Sequence, residues 1–136
     1  MTTESISIEG ISAPAIANYF LTINREEFAE TASLFAEDGE MLAPFEKPIV
    51  GREKIASYLA KEATGMKLLP VQGVCETEDG VERFKVLGKV RTSMFSVNVA
   101  WYFTLNSEGQ LTSARIKLLA SPQELLNLQN QRDSKE

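Results

Sequence analysis

From Pro14 to Ala63 apolar residues recur at every third or fourth position, and from Lys67 to Leu118 the period shortens to two. In AIANYFLTIN, Ile16, Tyr19, Phe20 and Ile23 share one helical face, with Pro14 tolerated in the first turn. Asn24 followed by Glu27 forms a capping arrangement. The next stretch, REEFAETASLFAE, then places Phe28, Ala32 and Phe35 on one side of a second helix, until Asp38-Gly39 breaks it. EMLAPFEKPIVG is interrupted by Pro44 and Pro48 and reads as one edge strand and a loop. A third helix is expected from about Arg52 to Ala63, carrying Ile55, Tyr58, Leu59 and Glu62 at helical spacing, with Gly65 where a left-handed cap would fall.

The period-two region divides into KLLPVQGVCETE, VERFKVLGKVRT, FSVNVAWYFTLN and QLTSARIKLLA, separated by Glu78-Asp79-Gly80, a short Ser93-Met94 loop and Ser107-Glu108-Gly109. These predict an antiparallel meander with one apolar and one wet face: Phe84, Val86 and Val90 oppose Arg83, Lys85 and Lys89. Ser121-Pro122-Gln123-Glu124 has the signature of a helix start and predicts a short helix through Leu128. Helices followed by a twisted antiparallel sheet imply an α+β domain, a cone-shaped curved sheet covered on its apolar face by the N-terminal helices. The mouth of such a cone is a natural apolar pocket. At 136 residues the chain makes a single domain over 1–136, with 1–9 and 130–136 read as flexible tails.

Charge narrows the partners. The net charge of −5, with no basic run, opposes the polyphosphate surface of nucleic acid, so no nucleic-acid partner is expected. MTTESISIEG lacks a basic region followed by an apolar stretch, and the expectation is a soluble, cytoplasmic protein. One cysteine, Cys75, excludes an internal disulfide and any multi-cysteine metal site; on a strand it reads as a small, buried or half-buried hydrophobe. With no histidine in the chain, Ser-His-Asp chemistry and histidine-type zinc sites are excluded, and no metal is expected.

Trp101, the only tryptophan, falls on the apolar face of VNVAWYFTLN, and a buried indole N–H needs an acceptor. Pattern alone favours a backbone carbonyl. Tyr19 on the first helix poses the same question, and two donors converging in an apolar lining would suit a carbonyl ligand. An isomerase or dehydratase on the same architecture is the alternative, with Tyr19 polarising a carbonyl and Glu40, the one early-strand acid that could point inward, moving the proton. No buried base of raised pKa is evident for it, and the expectation is a binding protein with no catalytic residue. Leu87 and Tyr102, on the outer face of the sheet, are the expected seed of a subunit contact.

At FEKPIVGRE (45–53), MKLLP (66–70), VNVAWYFTLN (97–106) and above all IKLLASPQELLNL (116–128), the chain resembles the C-terminal domain of the cyanobacterial orange carotenoid proteins, in segments that agree in order and spacing from about Ile8 to Leu128. The resemblance implies a nuclear-transport-factor-like fold that holds one end of a ketocarotenoid such as canthaxanthin or echinenone. Tyr19 and Trp101 match the family's two donors to the keto oxygen, and the apolar tunnel would be lined by Ile23, Leu68, Met94, Phe95 and Ile116. Met94 stands where the family's two-domain proteins carry a Trp that faces the other domain. A stand-alone homologue is implied, which carries pigment in photoprotection and is a candidate quencher of singlet oxygen. A polyene longer than one domain left half in water forgoes about 25 cal/mol per Å² of wet apolar surface. A homodimer sharing the pigment is therefore expected, or transfer to a helical carotenoid-domain homologue, with uptake from membranes by transient contact.

Overall fold

The computed structural model describes residues 8–119 and has the order α1 (Pro14–Asn24), α2 (Phe28–Ser33), β1 (Phe35–Leu42), β2 (Ile49–Val50), α3 (Arg52–Glu62), β3 (Lys67–Glu78), β4 (Val81–Arg91), β5 (Ser96–Leu105) and β6 (Leu111–Leu118). The six strands form one sheet in the order β2-β1-β6-β5-β4-β3. The meander from β3 to β6 is antiparallel as expected, and β1 joins it in parallel with β6. The helix expected from Ser121 lies outside the described residues.

α1 and α3 follow the sequence pattern. Pro14 occupies the first turn of α1, which buries Ile16, Tyr19, Phe20 and Ile23, and Gly65 takes the left-handed conformation (φ 87°) just past α3. The second helix differs from expectation. It stops at Ser33, and Phe35, Ala36 and the following residues form β1, because Leu34 O accepts from Leu111 N (2.9 Å) and the strand continues along β6. Nor is β1 an edge strand; β2 covers its outer side, pairing Glu40 with Val50 and Met41 with Ile49.

Asn24 does not cap α2. Its side chain closes the end of α1 onto β3, donating from Nδ2 to Leu68 O (2.9 Å) and accepting at Oδ1 from Leu68 N (2.7 Å). Thr22 and the buried Thr31 share a 2.6 Å hydroxyl–hydroxyl bond that ties α1 to α2. Arg52 Nε donates to Phe35 O (2.8 Å), fixing the start of α3 to β1.

Register sorts the faces. Val86, Trp101 and Ile116 stand side by side on the inner face, as do Phe84, Phe103 and Ala114, and the helices pack over them. Bulges interrupt β3 between Pro70 and Gln72, β1 between Phe35 and Glu40, and the β5–β6 pair near Leu105, and such insertions bend strands. The result is a curved, open sheet whose concave side holds Trp101, Tyr19, Phe20, Phe35 and Phe103, each fully buried. Cys75 departs from expectation: it is exposed, because β3 is the edge strand and runs past the cover of the helices. Within the stretch read as an N-terminal tail, Ile8 is buried and Glu9 pairs with the β3 edge, its N–H donating to Val71 O (3.3 Å) and its carbonyl accepting from Gly73 N (2.8 Å).

Candidate functional site

Tyr19 comes from the buried face of α1 and Trp101 from the middle of β5. Phe20 lies between them, its ring centroid 5.3 Å from Tyr19 and 4.7 Å from Trp101, both edge-on. Phe103, two residues beyond Trp101 on the same strand face, closes the group at 4.9 Å from Tyr19 and 5.7 Å from Phe20. Edge-to-face geometry suits the ring quadrupoles and holds each ring in one orientation. Sequence reasoning did not single out Phe20 and Phe103 as site residues. The signal was present, since Phe20 adjoins Tyr19 on a broad buried helix face and Phe103 shares the period-two face of Trp101.

Neither Tyr19 Oη nor Trp101 Nε1 hydrogen-bonds to another described residue. The backbone carbonyl favoured by pattern alone is thus not the partner of Trp101 among the described residues. Tyr19 and Trp101 carry these donors on the two largest core side chains, and no fully buried side-chain polar atom among the described residues is left without a partner. Burial, and after it the neighbouring Tyr58, pushes the Tyr19 phenol well above its ordinary pKa of 10.0. Tyr58 is itself pushed up, by burial first and then by Glu46 and Glu62. Tyr19 is therefore a neutral O–H donor throughout the physiological range. Each of the two groups can donate one hydrogen bond, and Phe20 packs against both rings. A carbonyl fits that donor set, which offers no negative charge, thiolate or carboxylate to a metal.

Of the expected lining residues, Ile23 and Leu68 are buried in the same core cluster as Tyr19 and Trp101, and Ile116 packs against it. Ile116 is the cross-strand neighbour of Trp101 and also lines a cleft of about 470 Å³ with Leu42, Phe45, Arg115, Lys117 and Leu118, a cleft that Trp101 itself does not line. Met94 and Phe95 stand outside the cluster, 87% and 59% exposed, on the turn between β4 and β5. Thr92 shapes that turn: its Oγ1 accepts from Met94 N (3.2 Å) and Phe95 N (3.1 Å), and its own N–H donates to Phe95 O (2.8 Å).

Glu40, the candidate base, sits beside Ser113 in register, while its neighbour Met41 sits beside the inward-facing Ala114 and is buried. The carboxylate is therefore on the outer face, away from Tyr19. Among the described residues no three His, Cys, Asp or Glu side chains are grouped to hold a metal ion, and no helix is long and apolar enough to cross a membrane.

No protein-family model matches the chain. It is 44% identical over 128 residues to the orange carotenoid-binding protein of Limnospira maxima and 42% identical over 127 residues to that of Synechocystis sp., in each case over 90% of this chain and 40% of the relative. The solved orange carotenoid protein of Anabaena (Nostoc) sp., which binds canthaxanthin, superposes with a TM-score of 0.83 at 41% identity, over 91% of this chain and 41% of that one. The chain thus spans about two-fifths of the length of the curated relatives it matches. More distant structures share the fold alone, among them an NTF2-like protein from Cytophaga hutchinsonii (13% identity, TM-score 0.63) and a ketosteroid isomerase-like protein from Erwinia carotovora atroseptica (14%, 0.61). A curved, unclosed sheet with its helices on one side, and this degree of identity along nearly the whole chain, make it a homologue of the orange carotenoid proteins over their C-terminal, nuclear-transport-factor-like domain.

Proposed function

We propose that the chain binds a ketocarotenoid, canthaxanthin or echinenone, with the keto oxygen of one end ring accepting from Tyr19 Oη and Trp101 Nε1. The observation that carries this reading is that Tyr19 and Trp101 pack on the same ring, Phe20, in a chain that superposes on a canthaxanthin-binding protein with a TM-score of 0.83. Aromatic side chains around them suit a conjugated ring, and Ile116 connects them to the cleft through which a polyene would leave the domain. Canthaxanthin in a homologous structure with a TM-score of 0.83 supports the same choice of ligand. The protein would act as a soluble carrier in photoprotection, quenching singlet oxygen through the bound pigment. It would do so as a homodimer that shares one carotenoid, pass the pigment to a helical carotenoid-domain homologue, and collect it from membranes. Enzymatic isomerisation or dehydration has no such support, since Glu40 faces away from Tyr19.

Mixing pigment-free protein with canthaxanthin-containing membranes tests the reading. A coloured, soluble complex with a red-shifted absorption band is expected, and failure to take up colour would refute it. Trp101→Phe should lower uptake of canthaxanthin much more than uptake of β-carotene, which has no carbonyl. Equal losses would assign Trp101 to packing alone.

A further inference from the structure

Tyr19 and Trp101 are held in place unequally. Three aromatic rings meet Tyr19: Phe103 at 4.9 Å, Phe20 at 5.3 Å and Phe35 at 6.5 Å. Trp101 meets one, Phe20, with centroids 4.7 Å apart and planes at 83°. Every aromatic residue of the chain lies among the described residues, and none but Phe20 forms a ring contact with the indole. Its cross-strand neighbours, Val86 and Ile116, are aliphatic. Dispersion contacts with aliphatic groups are weakly directional, whereas a perpendicular ring adds a preference for one orientation through its quadrupole.

Phe20 is itself firmly placed. It is fully buried on α1, and its ring also stands perpendicular to that of Phe103 at 5.7 Å. The backbone beneath it is tied down within the next turn, where the Thr22 hydroxyl bonds to that of Thr31 and the Asn24 amide binds Leu68 through both of its ends. One anchored ring therefore touches both donor-bearing side chains, and for Trp101 it is the only ring that does.

We propose that Phe20 is a positioning residue that sets the direction of the Trp101 N–H, and through it the preference of the site for a ring bearing a ketone over one without. Its effect runs through Trp101 and not through Tyr19, which keeps Phe35 and Phe103 when the Phe20 ring is removed. Selectivity follows because a hydrogen bond weakens steeply as its donor tilts away from the acceptor, while burial of an apolar ring is non-directional. That selectivity rests on the carotenoid reading; the orientation of the indole does not.

Phe20→Leu and Phe20→Met test this, since both remove the ring and keep an apolar side chain; far-ultraviolet circular dichroism confirms folding, and Phe20→Met carries the same measurements if Phe20→Leu does not fold. Trp101 is the only tryptophan, so in the pigment-free protein the long-wavelength edge of the near-ultraviolet dichroism reports on it alone, and that signal should be largely lost in both variants. In absorption titrations the preference for canthaxanthin over β-carotene should fall by roughly two- to twelve-fold, the worth of one neutral hydrogen bond. Double-mutant cycles locate the effect. With Phe20 already replaced, Trp101→Phe should change the canthaxanthin Kd by less than about two-fold, while Tyr19→Phe keeps its roughly two- to twelve-fold effect. Unchanged dichroism, equal loss of both pigments, or coupling to Tyr19 as strong as to Trp101 would each overturn the proposal and leave Phe20 as core packing. Parent protein that binds no canthaxanthin would overturn the carotenoid reading and the selectivity with it; parent protein that binds it, beside variants that keep the same preference, would overturn the role of Phe20 alone.

Discussion

Tyr19→Phe separates ligand recognition from structure. The substitution removes one hydroxyl and keeps the ring that meets Phe103 at 4.9 Å, Phe20 at 5.3 Å and Phe35 at 6.5 Å. No hydrogen bond to a described residue is lost with it. With no such bond to lose, the variant should match the parent within about 1 kcal/mol. Binding should weaken. A neutral hydrogen bond to a keto oxygen contributes about 0.5–1.5 kcal/mol, and its loss raises the Kd for canthaxanthin by roughly two- to twelve-fold. β-Carotene, with nothing to accept the bond, should bind both proteins alike. Urea unfolding of the pigment-free proteins and absorption titrations with the two pigments measure all three quantities. A loss of stability above about 1 kcal/mol would mean the hydroxyl has a structural partner, contrary to the geometry. Equal weakening for both pigments would mean it acts by packing.

Alkaline pH offers an independent check. Because folding raises the pKa of Tyr19 above its ordinary 10.0, its contribution is fully present below that pH and is lost as pH rises toward the folded value. Urea midpoints should therefore fall above about pH 10, and less steeply for Tyr19→Phe; identical slopes would contradict the burial of the phenol. Asn24→Ala removes both side-chain bonds to Leu68 and should cost about 2–3 kcal/mol in the same assay, whereas a change under about 0.5 kcal/mol would show that the contact between α1 and β3 is held by packing. Gly88→Ala forces a Cβ against the Leu69 carbonyl and to 2.7 Å from Pro70 Cα, both backbone, so strand β3 must shift. A loss of about 2 kcal/mol or more is expected from chemical denaturation, and a variant of parental stability would mean that the bulge at Pro70 can move freely.

Periodicity exposed much of this architecture. Helical spacing in AIANYFLTIN and two-residue spacing in VNVAWYFTLN were enough to turn Tyr19 and Trp101 inward, because burial of one face is what those periods record. It could not reveal β1. FAED fits a helix end as well as a strand, and what decides between them is β6, which pairs Phe35 with Leu111 far along the chain. Even Gly39 carries a distant requirement, since a side chain there would meet Leu111 O at 2.8 Å. Asn24 failed as a helix cap for the same reason: its partner is the backbone of Leu68. Whether the two donors bond to described residues was equally hidden, because a partner can be counted only once the surrounding carbonyls have positions. Exposure of Cys75 depended on where the helices stop covering β3.

The parallel pairing of β1 with β6 also governs the order in which this protein can be made. Until Leu111 to Leu118 have left the ribosome, Met41 has no Ala114 beside it, and the aromatic side chains of α1 and β1 wait with one wall of their enclosure missing. Contacts so distant in sequence are slow to form, and surface exposed in the meantime is open to wrong partners. Nascent chains halted before β6 should consequently be held by chaperones and cleaved by protease, and resistance should arrive in one step as the last described strand emerges.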